Sequence, residues 1–152
     1  MNGQPSRLHL DLTCTVEAPR ELVFSLLTTP AELAKWWGPQ GFSTPEIELD
    51  LRVGGRYRFT MQPPEGEAFH LSGEFIELVP PARLGYTFRW EEPTADDRET
   101  VVTFSLDAVE NGTHVSLSQG RFASGERLAL HREGWTESFE KLRKVIGPGA
   151  AP

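Results

Sequence analysis

The chain has 152 residues, the length of one domain with its own core, and its 38% hydrophobic and 24% charged residues are typical of soluble globular proteins. A net charge of −7 argues against nucleic-acid binding, because a nucleic-acid-binding surface needs clustered basic residues. One cysteine excludes an internal disulfide and a cysteine-cluster metal site, and no apolar run approaches the roughly 20 residues of a membrane-spanning helix.

The first quarter of the sequence predicts one strand followed by two short helices. Residues 8–16, LHLDLTCTV, alternate between apolar and polar side chains, which is the pattern of a strand with one buried face. This places Cys14 on the buried face, where apolar surroundings raise the pKa of a thiol. Residues 19–28 carry apolar side chains at helical spacing behind a proline. A second short helix, PAELAKWW, is predicted over residues 30–37 and ends at a Gly-Pro pair.

The middle of the chain predicts about six antiparallel strands joined by hairpin turns. Along residues 69–79 the alternation of apolar side chains breaks, and a β-bulge near Gly73 would bring the apolar positions back to one face. The acidic segment EEPTADDRE, residues 91–99, is interrupted by no aromatic residue or histidine. We interpret it as a solvated hairpin loop and not as a functional site.

The last predicted element is a long helix from about Glu126 to Ile146, with Ser124 as its N-cap. Its apolar stripe consists of Leu128, Trp135, Phe139, Leu142 and Ile146. Gly134 lies inside this helix at a cost of about 1 kcal/mol relative to alanine. We attribute the presence of this glycine to tight packing of the helix backbone against Trp36 or Trp37. The alternative is that the missing side chain leaves room for a neighbouring ring.

These elements predict an α+β fold: a curved antiparallel sheet of six to seven strands around a long C-terminal helix, with two short helices between the first two strands. One face of the sheet is apolar, and the C-terminal helix is the long element available to cover it. A helix touches a strongly curved sheet along a line, so space tends to remain between them and a cavity is expected. We expect one domain over residues 8–146, with flexible termini at residues 1–7 and 147–152.

Four stretches of the sequence carry a family resemblance. They are residues 16–39, 53–59, 73–90 and 131–142, which include the motifs VGGRYRF and HREGWTESFEKL. They resemble the helix-grip (SRPBCC) superfamily, which includes START lipid-transfer domains, birch-pollen-allergen proteins and polyketide cyclases. The likeness is closest to bacterial proteins related to the activator of heat-shock-protein-90 ATPase. The resemblance implies the helix-grip fold and leaves the activity open, because superfamily members bind, cyclise, hydrolyse or dock.

The neighbouring Trp36 and Trp37 raise a packing problem that the resemblance addresses. Adjacent side chains on a helix point about 100° apart, so one buried face does not easily take both rings. The resemblance implies that this segment closes one end of the groove beneath the long helix. Trp36 would pack on the first helix and the sheet, and Trp37 would lie at the cavity rim or the protein surface. The alternative is that both rings plug a hydrophobic end of the core.

The inward positions give a predicted lining that is rich in aromatic rings. The candidate ligand-binding residues are Trp37, Tyr57, Phe59, Phe69, Tyr86, Phe88, Trp90, Phe104, His131, Trp135 and Phe139. Such a set fits an apolar pocket with a few convergent donors, and it also fits a core that the rings fill completely. With the support of the resemblance, we expect an open cavity.

The four histidines are scattered along the sequence, and no spacing of histidines or acidic residues predicts a metal site. His9, His70 and His114 are expected to point outward from their strands. His131 lies one helical turn before Trp135, within reach of the groove, and we interpret it as a rim residue and not as a general base. No catalytic residue, metal or cofactor is therefore predicted.

Together these features predict a protein that binds a small hydrophobic or aromatic ligand between the sheet and the C-terminal helix. A cytoplasmic location is expected, because the amino terminus has no hydrophobic block of a secretory signal. Two alternatives remain. One is an enzyme of the polyketide cyclase or hydrolase type, with His131 and Tyr57 or Tyr86 as first candidates; the other is a chaperone-interacting protein of the activator type. Homodimer formation and the identity of the ligand are left open by the sequence.

Overall fold

The computed structural model of the protein describes residues 8–92 and 97–147. Within them the elements follow in the order β1 Leu10–Val16, α1 Arg20–Thr28, α2 Pro30–Leu33, β2 Ser43–Leu49, β3 Arg56–Gln62, β4 Phe69–Val79, β5 Arg83–Trp90, β6 Thr100–Val109, β7 Gly112–Gly120 and α3 Gly125–Ile146. The predicted flexible termini lie outside the described residues, except for Gly147, and so does the middle of the acidic segment.

The seven strands form one antiparallel sheet in the order β1-β7-β6-β5-β4-β3-β2. Strands β2 to β7 thus lie side by side in chain order. Strand β1 forms the edge of the sheet beside β7, with which it pairs over its whole length. The predicted α+β architecture is confirmed, with its curved antiparallel sheet, long C-terminal helix and two short helices after the first strand. No helix in residues 8–92 and 97–147 is long and apolar enough to cross a membrane.

A β-bulge in β4 explains the broken alternation of residues 69–79. The pairing of β4 with β5 shifts by one residue at Ile76, whose side chain is exposed. The shift returns Leu78 to the core side, where it packs against buried residues. The predicted bulge is therefore present, slightly later in the strand than Gly73. At Gly73 itself a Cβ would overlap the carbonyl oxygen of Thr87, so the glycine lets these two strands approach.

Helix α3 covers the apolar face of the sheet along the predicted stripe. Its N-cap is Ser124, as expected from the sequence, and it ends at Gly147, whose φ is +66°. Trp135 and Phe139 pack on the ring of Phe104 in β6, with ring centroids 5.8 and 6.5 Å apart. The side chains of α3 that are buried in this contact are His131, Trp135, Ser138, Phe139, Leu142 and Ile146.

The second helix is shorter than predicted, because α2 ends at Leu33 and both tryptophans lie in the turn that follows. Because the two tryptophans lie beyond the end of the helix, the packing conflict does not arise, and the two rings are buried in different directions. Trp36 is fully buried, and its indole Nε1 donates to the carbonyl oxygen of Leu26 in α1 at 2.8 Å. Trp37 is only 5% exposed and packs edge-on against Trp135 of α3, with ring centroids 5.0 Å apart. The expected contact of Trp36 with the first helix is confirmed. Of the two positions expected for Trp37, the structure agrees with the one at the cavity, and the one at the protein surface was wrong.

The turn at residues 36–40, called the tryptophan turn below, is fastened to the middle of α3. The backbone N–H of Gly38 donates to Ser138 Oγ at 3.0 Å, and that of Gln40 donates to Glu137 Oε1 at 2.9 Å. Gly38 is buried, so its N–H has no water to replace this acceptor. These bonds set the distance between the helix and the end of the sheet.

A lysine one turn further along α3 reinforces the same contact. The ammonium nitrogen of Lys141 lies 3.4 Å from the carbonyl oxygen of Trp37 and 3.3 Å from that of Pro39. Burial lowers the pKa of the Lys141 ammonium. The tryptophan turn is therefore held through both its donors and its acceptors.

We predict that Ser138→Ala lowers the free energy of unfolding by about 1–3 kcal/mol, because the buried N–H of Gly38 loses its acceptor. Urea denaturation would measure the loss. Thr136→Ala is the matched control, since Thr136 Oγ1 also donates to the carbonyl oxygen four residues before it, at 2.7 Å, but is exposed. Ser138 Oγ makes the equivalent helix bond at 2.9 Å. Equal losses in the two variants would show that the turn contact contributes nothing.

Candidate functional site

A cavity of about 480 Å³ lies beneath the amino-terminal half of α3. Its walls come from α3, from the tryptophan turn, and from residues of β3, β4 and β5. This volume falls within the roughly 300–1,000 Å³ that is typical of small-molecule sites. The predicted space between sheet and helix is therefore present, and it is confined to one half of the interface.

Six of the eleven predicted ligand-binding residues line this cavity. They are Trp37, Phe69, Phe88, Trp90, His131 and Trp135. The other five lie in the core beside the cavity and do not line it: Tyr57, Phe59, Tyr86, Phe104 and Phe139. The ring of Tyr57 contacts those of Phe59 and Tyr86, with centroids 5.2 Å apart in each pair. Aromatic packing thus fills the other half of the interior.

A buried amide fixes one aromatic wall of the cavity. Trp135 Nε1 donates to Gln119 Oε1 at 2.7 Å, and Gln119 Nε2 donates to Thr100 Oγ1 at 2.9 Å. Gln119 is fully buried, so both of its polar atoms depend on these protein partners. Because an indole N–H can only donate, the amide oxygen must face the ring. The plane of Trp135 is held by this network as well as by packing.

His131 belongs to the cavity wall and makes two hydrogen bonds. Its Nδ1 lies 2.7 Å from the carbonyl oxygen of Arg127, and its Nε2 accepts from Trp90 Nε1 at 3.0 Å. A carbonyl only accepts and an indole N–H only donates, so the imidazole is neutral with its proton on Nδ1. Burial lowers the pKa of the His131 imidazole. Both ring nitrogens are engaged, which leaves no lone pair for a general base in this arrangement.

Charged side chains lie around the mouth of the cavity. Glu92 and Asp97 come from the segment after β5, while Glu133 and Glu137 stand one turn apart on α3. Arg127 is the only cation among the described lining residues, and its Nη2 lies 2.5 Å from Asp97 Oδ1. Four carboxylates and one guanidinium give the lining a net charge of −3. The cavity thus combines aromatic walls with an acidic mouth.

This arrangement corrects the interpretation of residues 91–99 as a loop unconnected with the site. Glu92 and Asp97, at the two described ends of the segment, both line the cavity. Residues 91–99 have no periodic apolar side chains, so their sequence does not predict which side of the sheet they lie on. Only the path of the chain after β5 shows their position. The turn-borne lining residues Pro39, Gln40 and Phe42 were missed for the same reason.

A group of possible metal ligands lies beside the mouth, where His70, Glu91 and Glu92 place one ligand atom each within 4.8 Å of one another. The guanidinium of Arg58 donates to both oxygens of Glu91 at 2.9 Å. The two oxygens of Glu92 receive the His70 backbone N–H at 2.9 Å and face His70 Nδ1 at 2.8 Å. These bonds lower the pKa of both carboxyl groups. The ion pair of Glu91 with Arg58 and the hydrogen bonds of Glu92 with His70 account for the group, and the absence of a metal stays a prediction.

Gly134 borders the cavity and does not pack against a tryptophan. A Cβ built at this position meets Pro39 Cγ at 3.7 Å, which is ordinary van der Waals contact. The expected close approach of the helix backbone to Trp36 or Trp37 was therefore wrong. The missing side chain leaves part of the cavity empty beside Pro39, whereas the second explanation placed a neighbouring ring in this space.

Gly134→Ala is predicted to raise the free energy of unfolding by about 0.5–1 kcal/mol, because alanine favours the helix and its methyl group meets no obstruction. Chemical denaturation would measure the gain. Gly147→Ala provides the contrast, since a φ of +66° disfavours an L side chain and that variant should lose stability. A destabilised Gly134→Ala protein would mean that the helix backbone is crowded at this position.

Acidification is predicted to destabilise the fold through His131. Its folded pKa is lowered by burial from the ordinary 6.5, so the unfolded chain binds the proton at higher pH than the folded one. The stabilising contribution is complete above the unfolded pKa and is lost as the pH falls through 6.5 towards the lower folded value.

We expect His131→Gln to flatten the loss of stability between about pH 7 and about pH 5, measured by urea denaturation at each pH. His114→Gln serves as the control, because His114 lies in β7 and does not line the cavity. It should keep the wild-type slope. The prediction fails if both variants show the slope of the unmodified protein.

Solved structures of other proteins share this fold. Protein CV1439 from Chromobacterium violaceum is 28% identical, with a TM-score of 0.85 over 91% of this chain and 96% of that one. Protein NE0264 from Nitrosomonas europaea is 28% identical, with a TM-score of 0.80 over 97% and 99%. The AHSA1 (SPO3351) protein from Silicibacter pomeroyi is 28% identical, with a TM-score of 0.79 over 91% and 96%.

A family model supports the same relationship at the level of sequence. The model described as Activator of Hsp90 ATPase homolog 1-like protein matches residues 17–147. A comparison with curated proteins gave no match. The matched range includes every helix and all strands after β1, and the similar structures cover nearly the whole chain. The protein therefore belongs to the family of Activator of Hsp90 ATPase homolog 1-like proteins, as its resemblance predicted.

Proposed function

We propose that the protein binds a small hydrophobic or aromatic molecule in the cavity beneath α3. The observation that carries the proposal is the coincidence of an unfilled volume of about 480 Å³ with the rings of six Trp and Phe residues in its lining. These rings belong to Trp37, Phe42, Phe69, Phe88, Trp90 and Trp135. Close-packed protein interiors contain few voids larger than a water molecule. A space of this size is therefore unusual for a packed core and is typical of a ligand site.

The polar atoms of the wall support an apolar ligand. The indole N–H groups of Trp90 and Trp135 donate to His131 and Gln119, so the rings offer the cavity their carbon surfaces. A ligand that covers these surfaces gains about 25 cal/mol for each Å² of apolar area removed from water, with further gains from ring contacts. Recognition inside the cavity would therefore depend on shape more than on hydrogen bonds.

The catalytic alternative has less support from the candidate residues. His131 uses both ring nitrogens in hydrogen bonds. The hydroxyl of Tyr57 donates to the carbonyl oxygen of Thr87 at 2.6 Å, and neither Tyr57 nor Tyr86 lines the cavity. Burial raises the pKa of both phenols, which disfavours their ionised forms. The family description names an activator of a chaperone ATPase, whereas our proposal relies on the cavity.

A fluorescence titration with the uncharged probe N-phenyl-1-naphthylamine would test the proposal. We expect saturable binding and a raised melting temperature, because a ligand that binds only the folded state stabilises it. Gly134→Leu places a larger side chain in the cavity lining and should weaken probe binding at least about tenfold, the effect of excluding part of an apolar ligand. Its helix should form at least as readily as before, since leucine is a better helix former than glycine.

Ala129→Leu is the matched control for the binding test, because Ala129 is an exposed α3 residue that does not line the cavity. That variant should bind the probe as the unmodified protein does. Absence of saturable binding to the unmodified protein, or equal binding by Gly134→Leu, would refute ligand binding in this cavity.

A further inference from the structure

We infer that the cavity selects ligands with a positively charged head, such as an amine or a quaternary ammonium group on an aromatic or alkyl body. This inference rests on the proposed function, since it concerns the occupant of the same cavity. The apolar body would lie between the rings, and the head would lie at the acidic mouth. The geometry points to this class through the charges of the mouth and through the walls below them.

The carboxylates of the mouth come from two separate parts of the fold. Glu133 and Glu137 are separated by one turn of α3, and Glu92 follows β5 on the sheet side. Glu137 accepts the Gln40 N–H through Oε1 alone, and Glu133 is exposed. A cationic head at the mouth would therefore interact with carboxylates from both the helix and the sheet.

The cation in this lining is already paired with an acid. Arg127 Nη2 lies 2.5 Å from Asp97 Oδ1, and the two side chains are only 17% and 8% exposed. Arg127 Nε is a buried donor without a hydrogen-bond partner among the described residues, so an anionic head has one donor here, but it also faces Asp97, Glu92, Glu133 and Glu137. The negative charges of these carboxylates repel an anionic head and disfavour its binding. The mouth therefore discriminates against carboxylate and phosphate heads.

The aromatic walls of the cavity also favour a ligand with a positive charge. The faces of Trp37, Trp90 and Trp135 carry the negative part of the ring quadrupole, and all three rings line the cavity. A cation within about 6 Å of an indole centroid is attracted by that face, most strongly where water is excluded. Because the rings also supply the apolar surface, one ligand can use both interactions.

A matched series of three compounds tests the inference in competition with N-phenyl-1-naphthylamine. They are trimethyl(4-phenylbutyl)ammonium, its uncharged analogue with carbon in place of nitrogen, and 5-phenylpentanoate. We expect the ammonium compound to bind about tenfold more tightly than the uncharged analogue, and the carboxylate to bind most weakly. The preference should decrease between about 0.02 M and about 0.5 M salt, because salt screens the exposed part of the mouth.

A pair of double variants locates the preference. Glu133→Gln with Glu137→Gln should lower the affinity for the ammonium compound about tenfold and leave the uncharged analogue unaffected. The glutamine at position 137 retains an acceptor for the Gln40 N–H. Glu110→Gln with Glu140→Gln is the control, since it removes the same net charge from exposed residues that do not line the cavity. This control should change both affinities less than twofold, as expected for distant screened charges.

The outcomes separate this inference from the proposed function. If the uncharged analogue binds as tightly as the ammonium compound, the charge preference is wrong and the cavity still binds apolar molecules. If both double variants weaken ammonium binding equally, net charge and not the mouth is responsible, and the assignment to Glu133 and Glu137 is overturned. If none of the three compounds and no probe binds, the proposed function fails together with the inference.

Discussion

The hydrogen bonds between the tryptophan turn and α3 are the constraint on which the rest of the structure depends. The buried N–H of Gly38 needs the hydroxyl of Ser138, and Lys141 binds carbonyl oxygens of the same turn. Trp37 is wedged between Trp135 and the ring of Phe59 in β3. The helix therefore cannot close further onto the sheet at the tryptophan turn without breaking the buried bond of Gly38, whose loss costs about 1–3 kcal/mol.

The unequal size of the α3 side chains then determines where empty space remains. Towards its carboxyl end, α3 presents Phe139, Leu142 and Ile146, which pack with the sheet in a filled core. Towards its amino end, Gly134 presents no side chain, and His131 is held back in the wall by Trp90. The interface is therefore closed in one half and open in the other, although a single helix covers both.

The buried hydrogen-bond donors and the ionised side chains of the cavity are placed as the costs of burying polar groups require. The buried donors of Trp90 and Trp135 are satisfied by His131 and Gln119, because an unpaired buried donor would cost more than the ring packing returns. Among the ionised groups of the lining, Glu133 is exposed to solvent, whereas the more buried Arg127 and Asp97 are paired with each other. A site built in this way recognises a ligand body by shape and its head by charge. The fold sets the first property, whereas residues of loops and of the exposed helix face set the second.

The sequence by itself determined the order of elements, the apolar face of each strand and the α3 stripe, because side-chain periodicity follows from local backbone geometry. It also indicated the bulge in β4, since the broken alternation of residues 69–79 has no regular solution. Only the tertiary structure decided which rings fill the core and which line the cavity, because inward-facing Tyr57 and Trp90 have the same pattern. The acidic mouth was likewise decided in three dimensions: Glu92 and Glu133 are far apart in sequence, and only the packing of α3 on the sheet makes them part of one lining.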